Sequence, residues 1–206
     1  MKKININTWK RKNHFLFYKD FRDPCFNICC EIDVSLAVNY AKNNNKSIFF
    51  TLLYLSNKAT NDIDAFKLRI DDEQQVWLAD IIHPSATLLL EDDTFTFCYF
   101  RHQDNLDSFI KESEKIRDIA MVAPPLSNRT FESENHINQI YYSVIPWLAF
   151  TSFKHASSGV GMDIPRIVFG KIQNKNRKSI MPISIEVHHA IADGIDIAKY
   201  VARFEH

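Results

Sequence analysis

The stretch Pro182-Ile-Ser-Ile-Glu-Val-His-His-Ala-Ile-Ala-Asp-Gly194 constrains the fold of this chain more than any other. Successive side chains of a strand point to opposite faces. Ile183, Ile185, Val187 and His189 therefore share one face, and Ser184, Glu186 and His188 share the other. The apolar set predicts a core face, with His189 ending a buried row and His188 on the polar side. A lone histidine in such a row is more often a satisfied core residue. The tandem pair, the following Asp193 and the turn at Gly194 set His189 apart as the candidate for chemistry in a sheltered site. Beyond the turn, Ile195, Ile197, Ala198, Val201 and Phe204 fall on one side of a helical period, so the strand feeds an amphipathic helix over 194–204.

A length of 206 residues fits one domain, spanning 1–206, with a large apolar interior. Apolar residues make up 46% of the chain, sixteen of them Phe, in line with a well-packed globular protein. Basic and acidic residues balance at 25 each, which argues against a broad nucleic-acid surface. With only four Gly, the chain carries no glycine-rich phosphate loop. The basic start Met1-Lys-Lys has no apolar run behind it, and no stretch is long enough to span a bilayer. A cytoplasmic protein with no membrane partner is expected. Cys25, Cys29, Cys30 and Cys98 show no second pair at zinc spacing, so no metal site and reduced cysteines are expected.

The remaining pattern predicts a short edge strand at 4–9, then a short helix to about Asp20 with Asn13 as its cap. It continues with a strand at 25–32, a helix at 34–43 and an apolar helix from Ile48 to about Thr60 capped by Ser47. A hairpin at 66–78 and strands at 85–90 and 94–101 follow. A helix from Leu106 capped by Asp104 or Asn105 leads to an irregular segment at 124–138. A strand at 140–145 extends through 148–153 to a flexible loop at 154–164, and a strand at 166–173 precedes the last one at 179–188. Helices fall mostly early and strands mostly late, which predicts an α+β fold with a mixed β-sheet flanked by helices.

His188-His-Ala-Ile-Ala-Asp-Gly194 matches the HHxxxDG signature of the coenzyme A-dependent acyltransferases. Trp9-Lys-Arg-Lys-Asn-His-Phe15, Val76-Trp77, Thr94-Phe95, Ser143-Val-Ile-Pro-Trp147 and Phe150-Thr-Ser-Phe153 match further segments at agreeing spacing. Together they resemble the trimeric, histidine-dependent chloramphenicol acetyltransferases over nearly the whole length. The resemblance implies the CoA-dependent acyltransferase fold and a homotrimer with active sites between subunits. It implies acetyl-CoA as co-substrate, with no permanently bound cofactor, and O-acetylation of chloramphenicol, an antibiotic-resistance reaction.

By the same resemblance His189 is the general base and Ser143 the donor to the tetrahedral oxyanion. Asp193 pairs with Arg11 to fix the His189 backbone, a structural role outside any triad. Tyr18, Cys25 and Phe153 line the acceptor pocket, and Trp147 lies on the coenzyme A side. The chain departs from the family at Val168, where a threonine holds a water near the oxyanion. It departs again at His155 in the 154–164 loop and at Phe26-Asn27. These changes leave two other readings open: the same mechanism on another small hydroxylated acceptor, or a non-catalytic amphenicol-binding relative.

Overall fold

The computed structural model describes residues 1–127, 138–156, 159 and 161–205. The chain begins with β1 (Lys2–Lys3), a 3-10 turn (Ile6–Thr8), α1 (Lys12–Tyr18), β2 (Cys25–Asp33), α2 (Ser35–Asn43) and α3 (Ile48–Asn61). It continues through α4 (Asp64–Lys67), β3 (Leu68–Ile70), β4 (Val76–Leu78), β5 (His83–Leu89), β6 (Phe95–Tyr99) and α5 (Leu106–Val122). The last part holds β7 (Gln139–Val144), β8 (Arg166–Phe169), β9 (Gln173–Lys175), β10 (Lys178–His188) and α6 (Gly194–Glu205). Among the described residues no helix is long and apolar enough to cross a membrane.

α3 and α5 start where a side chain takes up free backbone donors. Ser47 accepts from Phe50 N at 3.3 Å, and Asn105 accepts from Asp107 N at 2.8 Å and Ser108 N at 3.2 Å. α1 differs from expectation. Its cap position is Arg11, which offers no capping bond, and Asn13 lies inside the helix. A guanidinium only donates, so Arg11 cannot cap the helix and instead reaches the far end of the chain. The expected edge strand at 4–9 is also displaced. Only Lys2 and Lys3 pair, with Leu78 and Trp77, and the following residues form the 3-10 turn under the Asn5 cap. No strand continues over 148–153. Leu148 turns back, its N–H donating to Ile145 O, and Lys171 N donates to Leu148 O at 2.8 Å. Gly170 makes that return possible: a Cβ there would stand 2.6 Å from Pro182 Cγ and 2.9 Å from Phe150 Cε1. The expected irregular segment and flexible loop fall partly on residues 128–137, 157, 158 and 160, outside the described residues.

Two sheets result. β1, β4 and β3 form a small antiparallel sheet. The large mixed sheet has the order β2-β10-β8-β7-β5-β6, with β9 on β10. β5, β7 and β8 run parallel, and the other pairs are antiparallel. This is the α+β, mixed-sheet architecture the element order predicts. α3 and α6 pack on one face, against Ile167, Phe169, Ile183, Ile185 and Val187 in the main core.

β10 is bordered by β2 and β8, and this changes the meaning of its alternation. Ser184, Glu186 and His188 are buried like the apolar set. The polar side is therefore a second interior face rather than a solvated one. Register shows which residues share it. Cys25 lies opposite His188, Asn27 opposite Glu186, and Arg166 opposite Glu186. Tyr141 lies beside Arg166, and Ser143 beside Val168. Cross-strand partners point to the same side, so all of these residues share one face, opposite the helices.

Candidate active site

His189 stands one residue beyond β10, and its side chain is 31% exposed. This corrects the expectation that it ends a buried row. The ring stays on the side of Val187 and Phe26 that the alternation gives it, but past the last strand residue it is less enclosed than the row before it. The two histidines exchange places in burial. His188 is 6% exposed and accepts from Ala190 N at 3.1 Å through Nδ1. Burial pushes its pKa down to about 4, partly offset by Asp163 and reinforced by His189. His188 is thus a neutral residue of the interior.

The His189 ring is held on three sides. Tyr18 stacks on it with centroids 4.2 Å apart and planes 22° apart, and Phe26 lies 4.6 Å away, tilted. Nδ1 meets Ala192 O at 3.3 Å and Asp193 Oδ1 at 3.1 Å. Both partners only accept, so Nδ1 carries a hydrogen, which in the neutral ring leaves the lone pair on Nε2. The resemblance gives Asp193 a structural role beside Arg11 and no place in a triad; here its carboxylate contacts both Arg11 and His189.

Arg11 ties that turn to the N-terminal segment. Its guanidinium pairs with Asp193 Oδ2, and it donates to His189 O at 2.8 Å and to Ala190 O and Ala192 O at 3.4 Å. The pair is only partly buried, but the fork spans carbonyls of three residues. Arg11, Asp193, Tyr18 and His189 are therefore brought together.

Ser143 is elsewhere. It sits half-buried on the polar sheet face beside the fully buried Val168, and Val168 lies opposite Ser184. His189 is two strands across and five residues along from it, a Cα separation of roughly 19 Å by strand geometry. Cys25 shares the Ser143 face. Its Sγ donates to Met162 O at 3.3 Å, and burial raises the thiol to about 11, so it is an unreactive thiol. Phe153 packs edge-on to His155 with centroids 4.8 Å apart. Desolvation lowers the His155 pKa, and Glu186 opposes that shift. Trp147 is 54% exposed on the turn after β7.

Three features escape sequence reasoning. The Phe26 contact follows from its register opposite Val187. The Asp193–His189 contact has an i,i+4 spacing that a turn can close. On the polar face, Arg166 Nη1 donates to Glu186 Oε1 at 2.9 Å, with side chains 10% and 5% exposed. Opposite charges on two late strands are the only sequence signal for that pair.

A mixed sheet in this strand order with its flanking helices is the fold of the CoA-dependent acyltransferases. The cubic core of the pyruvate dehydrogenase multienzyme complex shares it, with a TM-score of 0.64 at 13% identity over 94% of this chain and 84% of that one. A solved chloramphenicol acetyltransferase aligns much more tightly, with a TM-score of 0.91 and 29% identity over 98% of both chains. Chloramphenicol acetyltransferase 3 of Escherichia coli is 28% identical over 98% of this chain and 94% of its own length. The enzyme of Campylobacter coli is 28% identical over 97% and 94%. The sequence model of the chloramphenicol acetyltransferase family matches residues 1–205, and the chain belongs to that family of acyltransferases.

Proposed function

We propose that this chain is an acetyl-CoA-dependent O-acetyltransferase acting on chloramphenicol, with active sites between the subunits of a cytoplasmic homotrimer. The observation that carries the reading is the His189 ring. It is clamped by Tyr18 and Phe26, its Nδ1–H is engaged by acceptors, and Nε2 is open. The names of the relatives supply the acetyl group and the acceptor.

In this mechanism Nε2 takes the proton of the acceptor hydroxyl as its oxygen attacks the thioester carbonyl. Ser143 O–H donates to the oxyanion of the tetrahedral intermediate, a contribution on the order of 3 kcal/mol. Collapse breaks the carbon–sulfur bond, and the imidazolium returns its proton to the departing thiolate. Acetyl ester and free coenzyme A result. Tyr18 holds the imidazole plane, and Arg11 and Asp193 hold the turn that aims it. Cys25 and Phe153 line the acceptor side, and Trp147 offers an exposed indole toward coenzyme A.

His189 and Ser143 lie too far apart in one chain to act on the same carbonyl, which supports a site built from two copies. A trimer with heterologous contacts closes such a ring and completes three sites. The test is thiol release from acetyl-CoA with and without chloramphenicol. Chloramphenicol-dependent release that disappears in His189→Ala is expected. Retained release in that variant would remove the proposed base. A second reading, another hydroxylated acceptor, is favoured by one observation: the charged pair on the face that holds Ser143 and Cys25.

A further inference from the structure

Arg166 and Glu186 occupy adjacent central strands on the same sheet face as Ser143, Cys25 and His188. Arg166 is two residues from Val168, the cross-strand neighbour of Ser143, or about 7 Å along the strand. The salt bridge uses one guanidinium N–H and one carboxylate oxygen. Arg166 Nε and Nη2 and Glu186 Oε2 make no hydrogen bond with any described residue. Donors and acceptors on a nearly buried pair need partners once a ligand and a second subunit cover the face. Cys25 and His155 both feel the two charges, which places the pair against the pocket walls named above.

We propose that Arg166 and Glu186 determine acceptor specificity, selecting a neutral acceptor that carries a second hydroxyl beside the one that is acetylated. A hydroxyl is the small group that satisfies both partners at once. Its O–H donates to Glu186 Oε2, and its lone pair accepts from an Arg166 N–H. The pair is charge-compensated, so neither a net anion nor a net cation gains from it. An acceptor with only apolar surface there leaves both charges desolvated and unpaired, which is a strong basis for rejection. The inference rests on the acetyltransferase reading and adds the chemistry that the acceptor must present.

The experiment compares chloramphenicol, a diol, with its analogue in which the benzylic hydroxyl is replaced by hydrogen. kcat/KM is measured for both with the native trimer and with Arg166→Met/Glu186→Leu. Replacing both partners by apolar residues of similar size strands no charge, so the variant is expected to fold. Trimer formation and circular dichroism check this. The native enzyme is expected to prefer the diol by at least about tenfold, and the double variant by less than about threefold. If the double variant does not fold, Glu186→Gln is measured instead, and a fall in the same preference is expected. Chloramphenicol turnover gained only in the variant would overturn the inference, because the native pair would then reject a diol that it is said to select. An unchanged preference, or turnover of neither alcohol by either protein, overturns the inference. The underlying reading fails separately, when no alcohol elicits thiol release that depends on His189.

Discussion

Two arginine–carboxylate pairs lie close to the proposed site and do opposite things. Arg11–Asp193 is half-open, but its guanidinium also takes the carbonyls of His189, Ala190 and Ala192. It has one ligand, a turn of this chain. Arg166–Glu186 is much more buried and makes one hydrogen bond. It holds two straight strands that their ladder already holds, so its remaining donors and acceptors are left for something else. Burial alone does not show what a charge is for; the number of valences already used does.

Breaking the first pair gives the largest expected effect. Arg11→Met frees the 189–193 turn and leaves Asp193 beside His189. A misplacement of about 1 Å at the base is sufficient to lower kcat by around 10²-fold. Stability should also fall, by about 2–3 kcal/mol, less than for a fully buried pair. A chemical denaturation curve and steady-state kinetics on one preparation check both numbers. A full loss of activity with unchanged stability would make Arg11 a substrate ligand instead.

The next effect concerns the polar face that holds the second pair. The folded-state pKa of His188 is depressed to about 4 from 6.5. Between those values the unfolded chain binds a proton that the folded one does not, so stability is lost as pH falls from about 6.5 toward 4. The slope is about 1.4 kcal/mol per pH unit, for a total of about 3 kcal/mol. His83, His102 and His155 are shifted in the same direction by burial and add to the slope. Stability measured against pH in native and His188→Asn protein reads the difference. Parallel curves would contradict a neutral buried His188.

The third effect is steric and tests the turn that carries Trp147. Gly170→Ala places a methyl against Pro182, Phe150 and Leu148 O. Overpacking of this kind costs about 1–3 kcal/mol. A Tm shift of the variant reports it, and an unshifted Tm would mean that the 146–150 turn moves aside freely. The smallest effect belongs to the second pair. Removing both Arg166 and Glu186 should leave stability within about 1 kcal/mol of native, or raise it, because the cost of burying two charges disappears. A loss comparable to that of Arg11→Met would erase the contrast between the pairs.

The sequence shows the parts that depend on local signals. β10, α6 and the caps Ser47 and Asn105 follow from alternation, helical period and side-chain chemistry within a few residues. Family spacing points to His189, Asp193 and Arg11 together, which the structure places in contact. What was not legible depends on partners far along the chain. β1 exists only because Lys2 and Lys3 find Leu78 and Trp77. The roles of His188 and His189 in burial reverse because β10 is flanked by β2 and β8, which alternation within one strand does not reveal. Arg166 and Glu186 are twenty residues apart and meet only through the β8–β10 register. The distance between Ser143 and His189 has the same origin: each looks like part of one site, and the strand order separates them.

That separation is the most direct handle on the central claim. His189→Ala and Ser143→Ala chains, each expected to be strongly impaired on its own, are to be co-expressed and the mixed assemblies assayed for chloramphenicol-dependent thiol release. On the proposed reading a site takes His189 from one copy and Ser143 from its neighbour, so random mixing is expected to restore about one quarter of the native sites. Recovery near that level would place the active site between subunits. Mixed trimers no more active than their parents would contradict it.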